Sequence, residues 1–225
     1  MARNASPVTT QTIPEGRTEP RWPAILAVLV VFALANLLPS HYQFGPKWFT
    51  WGAVILILAV MVVVTIMPRS VLWHRIERAV VLTFGVIICG MNIAAVLRLV
   101  GDMISHKHNY SSVMLLESAT VIWTVNILLF ALLYWELDRA GPEARAAGEA
   151  GSPDFRFPES EEAAPGWQPH FGDYLFLAFA TSTSFMAPDY SRPASRRAKG
   201  LLMLQSGISL TTLFLIASRA IATLS

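Results

Sequence analysis

Four consecutive hydroxyl residues, Thr181-Ser182-Thr183-Ser184, interrupt an apolar run near the end of this 225-residue chain. A cluster of side-chain and backbone oxygens is what a cation requires when it gives up its hydration shell. The same residues can instead bond backbone groups freed at a helix end, which Ser and Thr do readily. Both readings stand for Thr181, Ser182, Thr183 and Ser184. Glu117 is the acidic residue placed well inside an apolar segment. An ionisable group there is costly and is a functional-site hypothesis by default. It could face a cavity as a proton or cation ligand, pair with Arg98, or snorkel to the surface. Arg98 closes the preceding apolar segment, and a short loop brings the two charges within reach of each other. Arg219 sits near the end of the last apolar segment, where snorkelling explains it.

Other chemistry has little residue-level support. His106 and His108 flank Lys107 without an obvious third ligand, so no metal is expected. No nucleophile elbow, zinc-binding HExxH or phosphate-binding glycine loop is present, so neither a catalytic residue nor a cofactor is expected. Cys89 is the single cysteine, which excludes a disulfide within the chain and a Cys-based metal site. Asn92, Asn126, Ser209 and Thr212, like Gly85, Gly90 and Gly207, lie in apolar segments and read as helix-packing positions.

The elements that hold these residues are membrane-like. The chain is 54% hydrophobic and 14% charged, with mean hydropathy +0.48, against about 25% charged for soluble domains. Segments Trp22–Leu38, Trp48–Met67, Ala79–Leu97, Val113–Trp135 and Gly200–Ala217 are all long enough to span, since roughly 17 residues suffice to cross a hydrocarbon core. Trp22, Trp48, Trp51, Trp73 and Trp135 mark segment ends as an interfacial belt. Tyr174–Ala187 is shorter and favours a re-entrant piece. The expected fold is therefore an all-α multi-pass integral membrane protein with five spanning helices plus a re-entrant or sixth helix. Residues 1–21 read as a disordered tail, followed by an uncleaved first helix. Residues 22–135 form a four-helix transmembrane region and 136–170 an acidic, flexible, solvated linker. Residues 171–225 form a helical hairpin. In it a helix from Phe171 to Ala180 precedes a break within Thr181–Asp189, and a second helix runs from Ala194 to Ala222. Thr181 and Thr183 are expected to face the bundle interior or an oligomer axis, with Phe176 and Phe179 packed on neighbouring helices.

A net charge of +2 gives no electrostatic case for nucleic acid as a partner. Basic residues in short loops set orientation. Arg3, Arg17 and Arg21, then Arg69, Arg75 and Arg78, place the N-terminus and the linker in the cytoplasm. The cluster Arg192, Arg196, Arg197 and Lys199 stays on that side if Tyr174–Ala187 is re-entrant.

Asp173-Tyr174-Leu175-Phe176 through Phe179, followed by Thr181-Ser182-Thr183, Pro188-Asp189 and Leu201–Ile221, resembles the pore hairpin of two-span potassium-type ion channels. The resemblance implies a pore helix, a filter entrance and an inner helix arranged in a homo-oligomer. Ser184-Phe185-Met186-Ala187 stands where that family has Gly-Tyr-Gly, so the filter is degenerate. The same region is similar to uncharacterised bacterial multi-span membrane proteins of the DUF1345-like kind, a resemblance that implies no activity. The expected function is a channel-like protein of the bacterial inner membrane, with an unspecified ion or small solute and the lipid bilayer as partners. The alternative is a non-transporting scaffold or partner-binding subunit. No enzyme activity is expected.

Overall fold

The computed structural model describes residues 21–43, 71–105, 111–146, 151–158, 167–184 and 191–224, with scattered helical positions between 51 and 62. Helix α1 (Trp22–Leu37) carries a proline in its first turn, where a missing N–H costs nothing. It stops because Leu38 turns extended, with ψ 139°, as the residue before Pro39 is pushed to do. Helix α2 (Val71–Ser105) is longer at both ends than the apolar segment it contains. Helix α3 (Ser112–Leu137) begins at Ser111, whose hydroxyl accepts from the Met114 amide at 3.2 Å. That contact supplies one of the helix's orphan donors with a partner.

A single 3-10 turn, Asp138–Ala140, ends α3. Arg139, Ala140 and Gly141 follow one another at φ 49°, 66° and 100°, a left-handed run that only glycine adopts without cost. The Arg78 guanidinium braces it, donating to the Ala140 carbonyl at 2.8 Å. Helix α4 (Pro142–Ala146), strand β1 (Phe155–Arg156), helix α5 (Phe171–Ser184), strand β2 (Arg192–Pro193) and helix α6 (Arg196–Leu224) complete the order. The strands pair antiparallel, with Phe155 opposite Pro193 and Arg156 opposite Arg192.

Helix α3 is the centre of the packing, touching α1, α2, α5 and α6. From Ile127 to Trp135 it is apolar on every side, and Phe130, Ala131, Tyr134 and Trp135 have almost no exposure. A helix of that kind belongs in an interior. Three helices are long and apolar enough to cross a membrane, over Arg78–Ile104, Ser112–Ala140 and Arg196–Ala222. Helix α1 is apolar but falls short in length. The expected count of five spanning helices is thus met by three among the described residues, and the segment Trp48–Met67 lies largely outside them.

Two further expectations change. The hydroxyl run does not break the helix, because α5 continues through Ser184. The Thr183 hydroxyl bonds back to the Phe179 and Ala180 carbonyls at 3.1 and 3.2 Å, so its polar group is satisfied within the helix. The rest of the expected break, 185–189, lies outside the described residues. The linker is not a solvated spacer in its described parts. Phe155 and Phe157 are buried with Arg145 and Asp138, and they form a cap over one end of the bundle.

Close approach of α2 to α3 rests on Gly85. A Cβ there would lie 2.6 Å from Leu133 Cδ2, whereas one at Gly90 would meet nothing within 4 Å. Gly85→Val should therefore destabilise the fold by about 1–3 kcal/mol and Gly90→Ala should be near neutral. Thermal unfolding of the two variants in detergent, followed by Trp fluorescence, checks the difference.

Candidate functional site

The hydroxyl run is divided by the helical period. Thr181 and Ser182 point inward and are fully buried, while Thr183 and Ser184, a further turn-fraction round α5, are exposed. Of the two hydroxyls expected to face the bundle interior or an oligomer axis, Thr181 faces the interior, and Ser182 rather than Thr183 joins it there; Thr183 lies on the outer face of the single chain. Phe176 and Phe179, expected to pack on neighbours, are half exposed, although Phe179 keeps an edge contact to Trp123.

Ser182 is where two hydrogen-bonded chains meet. From one side, Asn92 on α2 donates to Asn126 Oδ1 at 3.3 Å, and Asn126 on α3 donates to Ser209 Oγ at 2.9 Å. Ser209 on α6 then donates to Ser182 Oγ at 3.0 Å. From the other side, the Tyr134 hydroxyl donates to Gln205 Oε1. Gln205 Nε2 donates both to Ser182 Oγ and to the Ala178 carbonyl, each at 2.8 Å. Tyr134, Asn126, Ser182, Gln205 and Ser209 are all completely buried. Spacing explains the alignment: Gln205 and Ser209 are one turn apart on α6, as Ala178 and Ser182 are on α5.

The chain of hydrogen bonds is neutral, and each side chain in it has at least one partner. Such an arrangement joins four helices but offers no nucleophile, acid or base to a substrate. Thr181 is the exception, since its buried hydroxyl has no hydrogen-bond partner among the described residues. Beside Asn92 lies a cleft of about 90 Å³ between α1 and α2, walled by Val31, Ala35, Ile88 and Met91.

The two charge candidates separate. Glu117 is exposed on α3, and no ion pair joins it to Arg98 among the described residues. The Arg98 guanidinium instead donates to the His41 carbonyl at 3.0 Å. Beside it, Asp102 accepts from the Tyr42 hydroxyl at 2.9 Å and lies 3.1 Å from His41 Nε2. The acidic residue that organises this end of the bundle is thus Asp102. Helix α2 outruns its apolar stretch, and residues beyond that stretch give no intramembrane signal.

A buried polar cluster around the Asp138 carboxylate and the Arg145 guanidinium caps the opposite end. Asp138 Oδ2 accepts from the Tyr174 hydroxyl at 2.7 Å, and Oδ1 accepts from the amides of Asp154 and Phe155 at 2.7 and 3.2 Å. Arg145 donates to the carbonyls of Trp135 and Asp138 at 2.9 and 2.8 Å. Its guanidinium also sits 5.3 Å from the centre of the Tyr174 ring, within cation–π range. Gln168 returns the chain to the bundle by donating to the Arg145 carbonyl at 2.9 Å. Among the described residues no group of three His, Cys, Asp or Glu side chains could hold a metal ion.

Sequence reasoning finds Ser182, Asn92, Asn126 and Ser209 but misses Gln205, Tyr134 and Asp138. A signal for Gln205 exists: an uncharged amide one turn before Ser209, and the largest polar side chain in the 201–212 stretch of its helix. Comparison with protein-family models, curated proteins and solved structures gives no match.

Gln205→Leu would strand the Tyr134 hydroxyl and remove one donor from Ser182. It should cost roughly 1–3 kcal/mol, whereas Thr183→Val should cost a few tenths, by analogy with exposed surface changes. Equal losses in detergent melting experiments would contradict a structural role for the polar chain. A double-mutant cycle of Glu117→Gln with Arg98→Gln should show coupling within about 0.5 kcal/mol of zero, the additive behaviour of sites that do not share a contact.

Proposed function

We propose that this chain is an integral membrane protein whose C-terminal hairpin locks a helical bundle, and that it serves as a non-transporting scaffold or partner-binding subunit. One observation carries the reading: the Ser182 hydroxyl already accepts from Gln205 and Ser209. An oxygen that replaces water around a passing cation must be free to turn its lone pairs to the ion. Here the inward-facing hydroxyl is committed to helix contacts, and Thr183 and Ser184 lie on the outer face of α5. Exposed apolar residues on α6, including Met203, Phe214 and Ile221, suit lipid or a partner helix.

The channel-like reading keeps two supporting features, the cleft that reaches Asn92 at the start of the polar chain and the outward-facing hydroxyls of Thr183 and Ser184. It would place a homo-oligomer around the hairpin and pass an ion or small solute. Within a bacterial inner membrane, loop charge supports an orientation with the N-terminus and the cap in the cytoplasm.

Flux and topology test the proposal. Proteoliposomes holding the purified chain should pass potassium, sodium and protons no faster than empty vesicles, and Ser182→Ala should lower the melting temperature without changing that rate. Flux abolished by Ser182→Ala in a folded protein would reverse the assignment in favour of the channel-like reading. In a Cys89→Ser background, cysteines at Ser6 and Ser152 should resist an impermeant thiol reagent in intact cells. Labelling at Ser152→Cys from outside would move the cap to the other side.

A further inference from the structure

The β1–β2 ladder sets Arg156 directly opposite Arg192. Like charges facing each other across a strand pair are destabilising. Both side chains are exposed, and Arg196, Arg197 and Lys199, at the start of α6, are exposed beside them in sequence. Among the described residues no carboxylate pairs with any of these five cations. The first turn of α6 contains no acidic residue, so the positive end of the helix dipole adds to the charge.

The position of the patch says what would offset its charge. It precedes the stretch Arg196–Ala222, which is long and apolar enough to cross a membrane. One turn beyond Lys199 the same helix exposes Met203 and Leu204, at 75% and 42%. Cations followed at helical spacing by bare apolar side chains match the phosphate and the acyl chains of one molecule. A soluble polyanion would use the first part and leave the second unused.

We propose that Arg156, Arg192, Arg196, Arg197 and Lys199 form a docking surface for the headgroup of an anionic phospholipid, whose acyl chains lie along Met203 and Leu204. The bound phosphate offsets the Arg156–Arg192 repulsion, so anionic lipid stabilises the strand pair and, through it, the cap. This site does not depend on whether the bundle transports anything.

Native mass spectrometry of the full chain in detergent, with dioleoyl phosphatidylglycerol or dioleoyl phosphatidylcholine added, tests it. Phosphatidylglycerol should be retained preferentially. Each cation removed in the Arg192→Gln, Arg196→Gln and Arg197→Gln variants should lower its retention roughly fivefold, the factor expected for about 1 kcal/mol per basic residue near an anionic surface. Arg3→Gln with Arg17→Gln removes charge elsewhere and should change nothing. Melting in nanodiscs provides a second readout that does not require multiple substitutions. Arg192→Gln should raise the melting temperature in phosphatidylcholine and reduce the extra stabilisation given by phosphatidylglycerol. Equal retention of the two lipids, or retention of phosphatidylglycerol unchanged by the arginine variants, overturns the proposal. So does stabilisation by inorganic phosphate equal to that by phosphatidylglycerol, which would make the patch a site for free anions.

Discussion

Ser182 accepts hydrogen bonds from Gln205 and Ser209, and the packing of α3, α5 and α6 is organised around that meeting point. Buried amides and hydroxyls are expensive unless each finds a partner. In an interior built from Leu, Ile, Phe and Ala, the partners have to come from other helices. Gln205 can reach Ser182 only if α6 lies in one register against α5. Ser209 can reach Asn126 only if the same register holds against α3. Apolar contacts alone tolerate sliding and rotation of helices, because hydrophobic attraction is non-directional. The polar chain removes that freedom, so it contributes definition of the fold as much as stability.

The cap depends on a related constraint at the end of α3. The helix terminates in Asp138, a fully buried carboxylate, with Arg145 buried close by. A buried charge needs hydrogen bonds to all its lone pairs to survive without water. Tyr174 supplies one, two amides of the 151–158 segment supply two more, and the Arg139 guanidinium lies 3.9 Å from Oδ2. Satisfying Asp138 therefore pulls a glycine- and alanine-rich segment back onto the bundle. Aromatic rings finish the closure: Phe155 packs against Tyr134 and Tyr174, and Phe157 against Tyr174 and Trp167. Tyr134 bonds to Gln205 and packs on Phe155, so the cap and the polar chain share a residue. The left-handed turn at Arg139–Gly141 is the local backbone cost of bringing Arg145 beneath the end of α3.

Part of this architecture is legible in the residues alone. Apolar periodicity and length locate α1, α3 and α6 to within a few residues at most of their ends, because these depend on local composition. Pro39 marks the end of α1 through its effect on Leu38. The inward placement of Ser182 is within reach, since it shares a helical face with Ala178. Whether Glu117 meets Arg98 is not recoverable, because loop length says that two groups can meet and not which way each helix is turned. The linker is illegible for a similar reason. Its composition is that of a flexible chain, while its order comes from a handful of residues, Phe155, Phe157, Arg145 and Asp138, whose partners lie on other elements.

The amino-acid sequence by itself determined that the chain would be helical, where its long apolar stretches run, and that its hydroxyls and asparagines would have to be shielded. Those outcomes follow from nearest-neighbour propensities and from the cost of exposing apolar surface, which act on every short window independently. Tertiary structure alone decided which partners Ser182 takes on α6, that Asp102 rather than Glu117 anchors one end, and that Arg156 comes to face Arg192. Each of these is a choice of helix rotation or strand register. Such a choice is made by many distant contacts together and leaves no trace in the local residue pattern.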